Sequence, residues 1–338
     1  MLALRNCYPK TFRLGSLPIR SVHNGNTRIV VPARLHYEVD APEGSDYKTG
    51  AVIILHGLFG SRRNWNSLGK AMAERSQRPI YRLDLRNHGT SPHAEPMNYS
   101  AMAEDVWDYI MRHELKKVTV LGHSMGGKVA MAMALGAGRD QKKMPKDVLD
   151  KLIVVDITPR TASASPKFAS YIDTMLDIER KLLKTRKEAD EMLQTVEKHA
   201  GIRNFLLTNL LPLDRNFPKV EFRPPLDVLK NSLENLGRFP YSPGERSWDG
   251  KALFIKGETS GYIKLPWCKT AYIDKFFPNN RLETLDAGHW VHAEKPEEFM
   301  KIVCDFLKEG VEYTKKKAKK KAPSKAKKIQ NEPPTDNA

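Results

Sequence analysis

The chain has 338 residues, 40% of them hydrophobic, and carries a formal charge of +16. That length suits one large α/β domain or two modest ones, and the longest apolar runs, such as Ala51–Leu55 and Leu152–Val155, fall far short of the roughly 18 residues a membrane-spanning helix needs. Three widely spaced cysteines, Cys7, Cys268 and Cys304, exclude a disulfide scaffold and indicate reducing surroundings; no CxxC or Cys/His cluster is present, so neither a metal nor a cofactor is expected.

The charge is not spread evenly. Residues 1–34 carry Arg5, Lys10, Arg13, Arg20, Arg28 and Arg34 and no acid, which is +6. Their Arg, Ser and Leu content without Asp or Glu is that of a mitochondrial transit peptide, with cleavage expected near Arg20–Ser21. Residues 315–338 hold nine lysines against Glu332 and Asp336, which is +7. The stretch from 35 to 314 is then 16 − 6 − 7 = +3, so the body of the chain is close to balanced and offers no basic patch of its own. The tail from 311 to 338 reads as disordered, because like charges this dense repel and stay solvated. Weak contact with anionic membrane is its sharper reading. Nucleic acid is disfavoured as a partner, since no aromatic residue interleaves the lysines to stack on bases.

Through the body, apolar runs alternate with helical patterns. Strands are expected near Arg28–Val39, Ala51–Leu55, Ile80–Leu83, Lys117–Leu121, Leu152–Val155, Ala252–Ile255 and Arg281–Leu285. Helices are expected near Asn64–Arg75, Ser100–Arg112, Gly127–Ala137, Pro266–Phe276 and Pro296–Lys308. This alternation predicts an α/β fold with a mainly parallel sheet flanked by helices. No helix separates the first two strands, so an antiparallel edge hairpin is expected there. From 159 to 248 the pattern is helical with no convincing strand. We read that segment as a helical cap between a first core part, 35–158, and a second, 249–310.

The first stretch with chemistry is His56-Gly57-Leu58-Phe59-Gly60, after the second strand. Its backbone N–H groups, Leu58 foremost and Phe59 next, could serve an oxyanion hole. Asp84–Ser91 is polar and reads as a loop folded by local hydrogen bonds and charge pairs. The strongest signal is Gly122-His123-Ser124-Met125-Gly126, a G-x-S-x-G elbow between an apolar strand and an Ala/Met-rich helix. Ser124 is the candidate nucleophile. Gly122 and Gly126 avoid collisions in the tight turn, the helix N-terminus favours negative charge, and Met125 N–H is the second oxyanion donor. The acid is Asp156, at the end of its strand, or alternatively Glu258 in the loop after the next strand, where Ser260 could lend a hydroxyl. His289, after the last strand, is the base that the order Ser…acid…His requires. His292 is its rival, while His56, His88 and His123 come too early.

In this combination and order, His56–Ser61, Asp84–Ser91, Gly122–Gly127, Val155-Asp156-Ile157 and Gly288-His289 resemble the α/β-hydrolases, in particular the group holding α/β-hydrolase domain-containing protein 11 and the yeast mitochondrial ethanol acetyltransferases. The resemblance spans 35–310. It implies a mitochondrial enzyme, an acid at Asp156 and a supporting serine near Ser260. The expected activity is hydrolysis of a small acyl ester or acyl-CoA through an acyl-serine. Synthesis of ethyl acetate from acetyl-CoA and ethanol is the alternative, and a scaffold role in a matrix enzyme complex comes third.

Overall fold

The computed structural model describes residues 31–137, 148–212 and 219–309. The lysine tail, and the leader up to residue 30, lie outside the described residues. The first half of the core runs β1 (Tyr37–Asp40), β2 (Val52–Leu55), α1 (Asn66–Ser76), β3 (Ile80–Leu83), α2 (Tyr99–Arg112), β4 (Val118–His123), α3 (Met125–Ala134) and β5 (Leu149–Val155). Five helices follow: α4 (Pro166–Arg180), α5 (Arg186–Leu193), α6 (Ala200–Leu207), α7 (Leu226–Asn231) and α8 (Leu233–Gly237). The chain then returns to β6 (Lys251–Gly257), α9 (Asp274–Phe276), β7 (Asn280–Leu285), α10 (Val291–Glu294) and α11 (Pro296–Lys308). The helix expected over Pro266–Phe276 is shorter than that, a π-helical turn at Lys269–Ile273 running into α9.

The strands form one sheet in the order β1-β3-β2-β4-β5-β6-β7, parallel throughout except at β1. The expected hairpin between the first two strands is not made. β1 is the antiparallel edge strand, but it pairs with β3, Glu38 standing opposite Arg82. Two causes are visible. All four residues of β2 are apolar and buried, and parallel neighbours take both of its edges. The buried Arg82 of β3 also binds Asp40 of β1 at 2.7 Å and Glu38 at 3.1 Å, which draws the half-exposed β1 to that edge.

Side chains alternate across the pleat and feed two cores. Ile53, Leu55, Val120, Val154 and Phe254 pack with α2, α3 and the helices after β5. Val52, Ile54, Leu121, Ile153 and Leu253 pack with α1 and α11. Both faces are therefore covered, as the apolar strands require.

The segment between β5 and β6 lies over the sheet's C-terminal edge on a few polar ties. Tyr99 Oη of α2 donates to Leu236 O at 2.7 Å, and Asn209 Nδ2 donates to Phe59 O at 2.8 Å. Lys128 Nζ of α3 donates to Gly237 O and Arg238 O at 3.1 Å each, satisfying carbonyls at the end of α8 that no helical N–H can reach.

Candidate active site

Parallel strands deliver the predicted residues to one place, the C-terminal edge of the sheet. Ser124 follows β4 and caps α3 with φ 52° and ψ −116°. This left-handed backbone is costly for a residue with a Cβ, and the glycines around it make it attainable. A Cβ on Gly122 would stand 2.2 Å from Gly126 O, and one on Gly126 would stand 2.4 Å from Leu55 O. Neither neighbour is a flexible side-chain tip, so any larger residue would force the turn open.

Asp156 follows β5, also at positive φ, and is fully buried. Its carboxylate is saturated by donors. Gly257 N–H reaches Oδ1 at 3.0 Å, and Oδ2 accepts from His289 Nδ1 at 2.7 Å and from the Ser260 hydroxyl. Because the carboxylate accepts, the Nδ1 proton is fixed and His289 Nε2 is left as the basic nitrogen. The loop that carries His289 is held on both sides: Glu294 accepts from Gly288 N–H at 2.7 Å and from Trp290 N–H at 3.2 Å. The His289 carbonyl accepts from His123 Nε2 at 2.9 Å, and Tyr262 stacks on its ring with centroids 4.2 Å apart.

Ser124 lies where two cavities meet. One, of about 390 Å³, is lined by Met125, Lys128, Ile157 and Leu236; the other, of about 790 Å³, by Tyr171, Phe205, His289 and Trp290. Leu58, Ser124 and Tyr262 border both. As the first residue of α3, Met125 has an N–H with no carbonyl partner inside the helix. Leu58 N–H has no acceptor among the described residues, whereas Phe59 N–H is spent on His88 Nε2 at 3.2 Å. Of the two loop donors considered, Leu58 is thus the one left free.

The other candidates separate clearly. Glu258 is exposed and takes part through its backbone, its N–H donating to Leu285 O at 2.8 Å and its carbonyl accepting from Lys256 Nζ at 2.9 Å. His292, the rival base, is buried and stacked flat on Trp65 at 4.2 Å, with Nδ1 unpartnered. Burial pushes it down to about 3, so it stays neutral. His56 accepts Leu85 N–H at Nε2 and bonds Gly57 O through Nδ1; it braces the loop below the site. Asp84–Ser91 behaves as the sequence suggests. Asp84 accepts from Arg62 N–H at 2.7 Å and Thr90 N–H at 2.9 Å, and the buried Arg86 pairs with Asp105 at 2.6 Å.

With the fold and this arrangement in view, comparison with known proteins is direct. Residues 50–296 match the family described as the alpha/beta hydrolase fold. The chain belongs to the α/β-hydrolase family. A mouse relative named sn-1-specific diacylglycerol lipase ABHD11 is 38% identical over 262 residues, covering 76% of this chain and 80% of its own. Ethanol acetyltransferase 1 of Wickerhamomyces anomalus is 29% identical over 276 residues, covering 76% of this chain and 68% of its own. Among solved structures, a marine microorganism esterase superposes with a TM-score of 0.71 at 32% identity, covering 81% of this chain and 99% of its own.

Four residues of this hydrolase's site carried no signal at the level of sequence. Tyr262 and Lys128 reach the site only through tertiary placement, and Glu294 braces the His289 loop locally, from four and six residues away. His123 occupies a variable position of the elbow, where any side chain satisfies the motif.

Proposed function

We propose that the protein is a serine hydrolase acting on carboxylic esters or acyl thioesters through an acyl-serine. The observation that carries this reading is the 2.7 Å bond from His289 Nδ1 to a saturated Asp156, beside a serine held at positive φ. His289 Nε2 takes the Ser124 proton as Oγ attacks the acyl carbonyl, and the new oxyanion sits at Met125 and Leu58 N–H. The bond from the carbonyl carbon to the leaving oxygen or sulfur breaks, and the proton on His289 passes to the leaving group. Water then attacks the acyl-serine, gives a proton to His289 and releases the acid; Ser124 recovers its proton.

This sequence allocates the two cavities. The leaving group and the incoming acceptor must both exchange a proton with His289, so they occupy the cavity that His289 lines. The acyl chain then takes the smaller cavity beside Met125. The larger cavity is mostly apolar and can hold a bulky leaving group, so the segment 159–248 acts as a cap that selects it. The similarity to ethanol acetyltransferase 1 supports an alcohol as a second acceptor at the same acyl-serine. The acid-free basic leader favours a mitochondrial site of action, and imaging a fusion of residues 1–34 to a fluorescent protein tests it. No described helix is long and apolar enough to cross a membrane.

Mass spectrometry of the products formed from acetyl-CoA, with and without ethanol, tests the chemistry. Acetate or ethyl acetate is expected from the wild type and neither from Ser124→Ala. Equal turnover by that variant would overturn the reading.

A further inference from the structure

The smaller cavity holds two cations and no carboxylate. Lys128 stands four residues beyond Ser124, a backbone rise of about 6 Å along the helix axis, with its side chain buried. Its ammonium gives two of its three N–H groups to Gly237 O and Arg238 O and lies 5.3 Å from the centre of the Tyr99 ring. Arg160, half-buried in the loop after Asp156, lines the same cavity with its guanidinium 5.2 Å over the Trp267 ring. Neither cation has an acidic partner among the described residues, and no Asp or Glu lines this cavity.

A buried ammonium without a counter-ion is costly. Two carbonyls and a ring face offset part of that cost, and the third N–H remains. Burial, and then Arg160, hold Lys128 down to about 8. A tie between α3 and α8 would need no charge, because a neutral donor such as an amide makes the same bonds to carbonyls. What the pair of cations adds is attraction for an anion in a cavity that His289 does not line.

Resting on the acyl-serine reading above, we propose that this hydrolase takes a short acyl group whose far end carries a carboxylate. The substrate is a half-ester or half-thioester of a dicarboxylic acid. The reacting carbonyl sits at Ser124, and the distal carboxylate bonds Lys128 and faces Arg160. The products are the leaving alcohol or thiol and the free dicarboxylic acid. Ser124 and Lys128 line one cavity of about 390 Å³, which limits the acyl group to a short chain.

Monomethyl glutarate and methyl pentanoate present five-carbon acyl groups that differ at the far end, and both release uncharged methanol. Any preference between them therefore reports on the acyl side alone. Acid release followed by pH-stat at pH 7 should give a kcat/KM for the glutarate ester at least equal to that for the pentanoate. An apolar acyl cavity would instead reject the charged ester. Lys128→Met should lower the glutarate-to-pentanoate ratio at least about tenfold, the scale of one charge-assisted hydrogen bond. If that variant does not fold, Arg160→Met, in a half-exposed loop, should lower the ratio in the same direction. A ratio unchanged in both variants, or both rates falling together, would make Lys128 a structural tie and overturn the proposal. Hydrolysis of the pentanoate only would overturn this inference and leave the serine-hydrolase reading standing. Hydrolysis of neither ester by the wild type would also overturn this inference, and the serine-hydrolase reading would then stand or fall on the products from acetyl-CoA.

Discussion

Asp156 sits buried behind His289, Phe205 lines the cavity in front of it, and the two are held by different forces. Asp156 belongs to the sheet core, where both carboxylate oxygens are bonded; Gly257 is fixed by strand register, Ser260 by its N–H to Gly257 O, and His289 by Glu294 on its loop. Phe205 belongs to α6 of the insertion, where its nearest ring neighbour is Trp290 at 6.2 Å and its contacts are apolar. Directional bonds specify positions to a fraction of an ångström, which bond-making requires. Apolar contacts specify volume and polarity, which is enough to choose a substrate. The core should therefore set the reaction and the insertion its selectivity.

The comparison is broken most directly at Ser124. Ser124→Ala should lower kcat by roughly 10⁴-fold or more while leaving the fold unchanged, read by ester hydrolysis alongside circular dichroism. Asp156→Asn comes next, at about 10³- to 10⁴-fold, because an amide no longer fixes the His289 proton on Nδ1. Glu258→Gln is the control for that substitution and should leave kcat/KM unaltered. A large loss in Glu258→Gln with activity kept in Asp156→Asn would move the acid to the other loop.

The core was also the more legible half. The elbow can be read because its strained turn tolerates only glycine at two fixed spacings, a local constraint that leaves a local trace. Asp156 and Glu258 could not be separated by pattern alone. Both follow apolar strands, and only the pairing of β5 with β6 shows which carboxylate reaches His289. The edge hairpin failed for a related reason. Adjacency along the chain suggested β1 beside β2, but Arg82, forty residues downstream, held the countercharges that place β1 beside β3. Tyr262 and Lys128 act through contacts with a distant loop or distant carbonyls, and such contacts have no spacing to read.

Acid should distinguish the two regions as well. The core buries four neutral histidines, His56, His88, His123 and His292, while His199, the histidine within 159–248, is exposed. Burial holds His88 and His292 down to about 3 in the folded chain, against about 6.5 when unfolded. Between those values the unfolded chain binds more protons, so stability is fully present above pH 6.5 and is lost as pH falls towards 3. Each of the two should cost about 2 kcal/mol by pH 5. Thermal melts from pH 7 to pH 5 should show Tm falling steadily, and His88→Gln should flatten that slope; a Tm independent of pH across this range would contradict it.

The smallest effect belongs to the insertion and bears on its role alone. Phe205 lines the larger cavity, the one assigned to the leaving group. Trimming it to alanine removes apolar contact worth about 1.5 kcal/mol, close to tenfold in affinity. With two esters of one acid, the octyl ester should show KM raised roughly tenfold in Phe205→Ala, and the methyl ester should change little. The kcat of both should move less than KM, since no atom of Phe205 is needed in the bond-breaking step. Two other outcomes would count against the division of labour. If both esters lose kcat alike, Phe205 supports the placement of His289 through Trp290, and the insertion belongs to the chemistry as much as the core does. If neither ester responds, the leaving group does not lie in that cavity, and the allocation of acyl and leaving-group sides must be reversed.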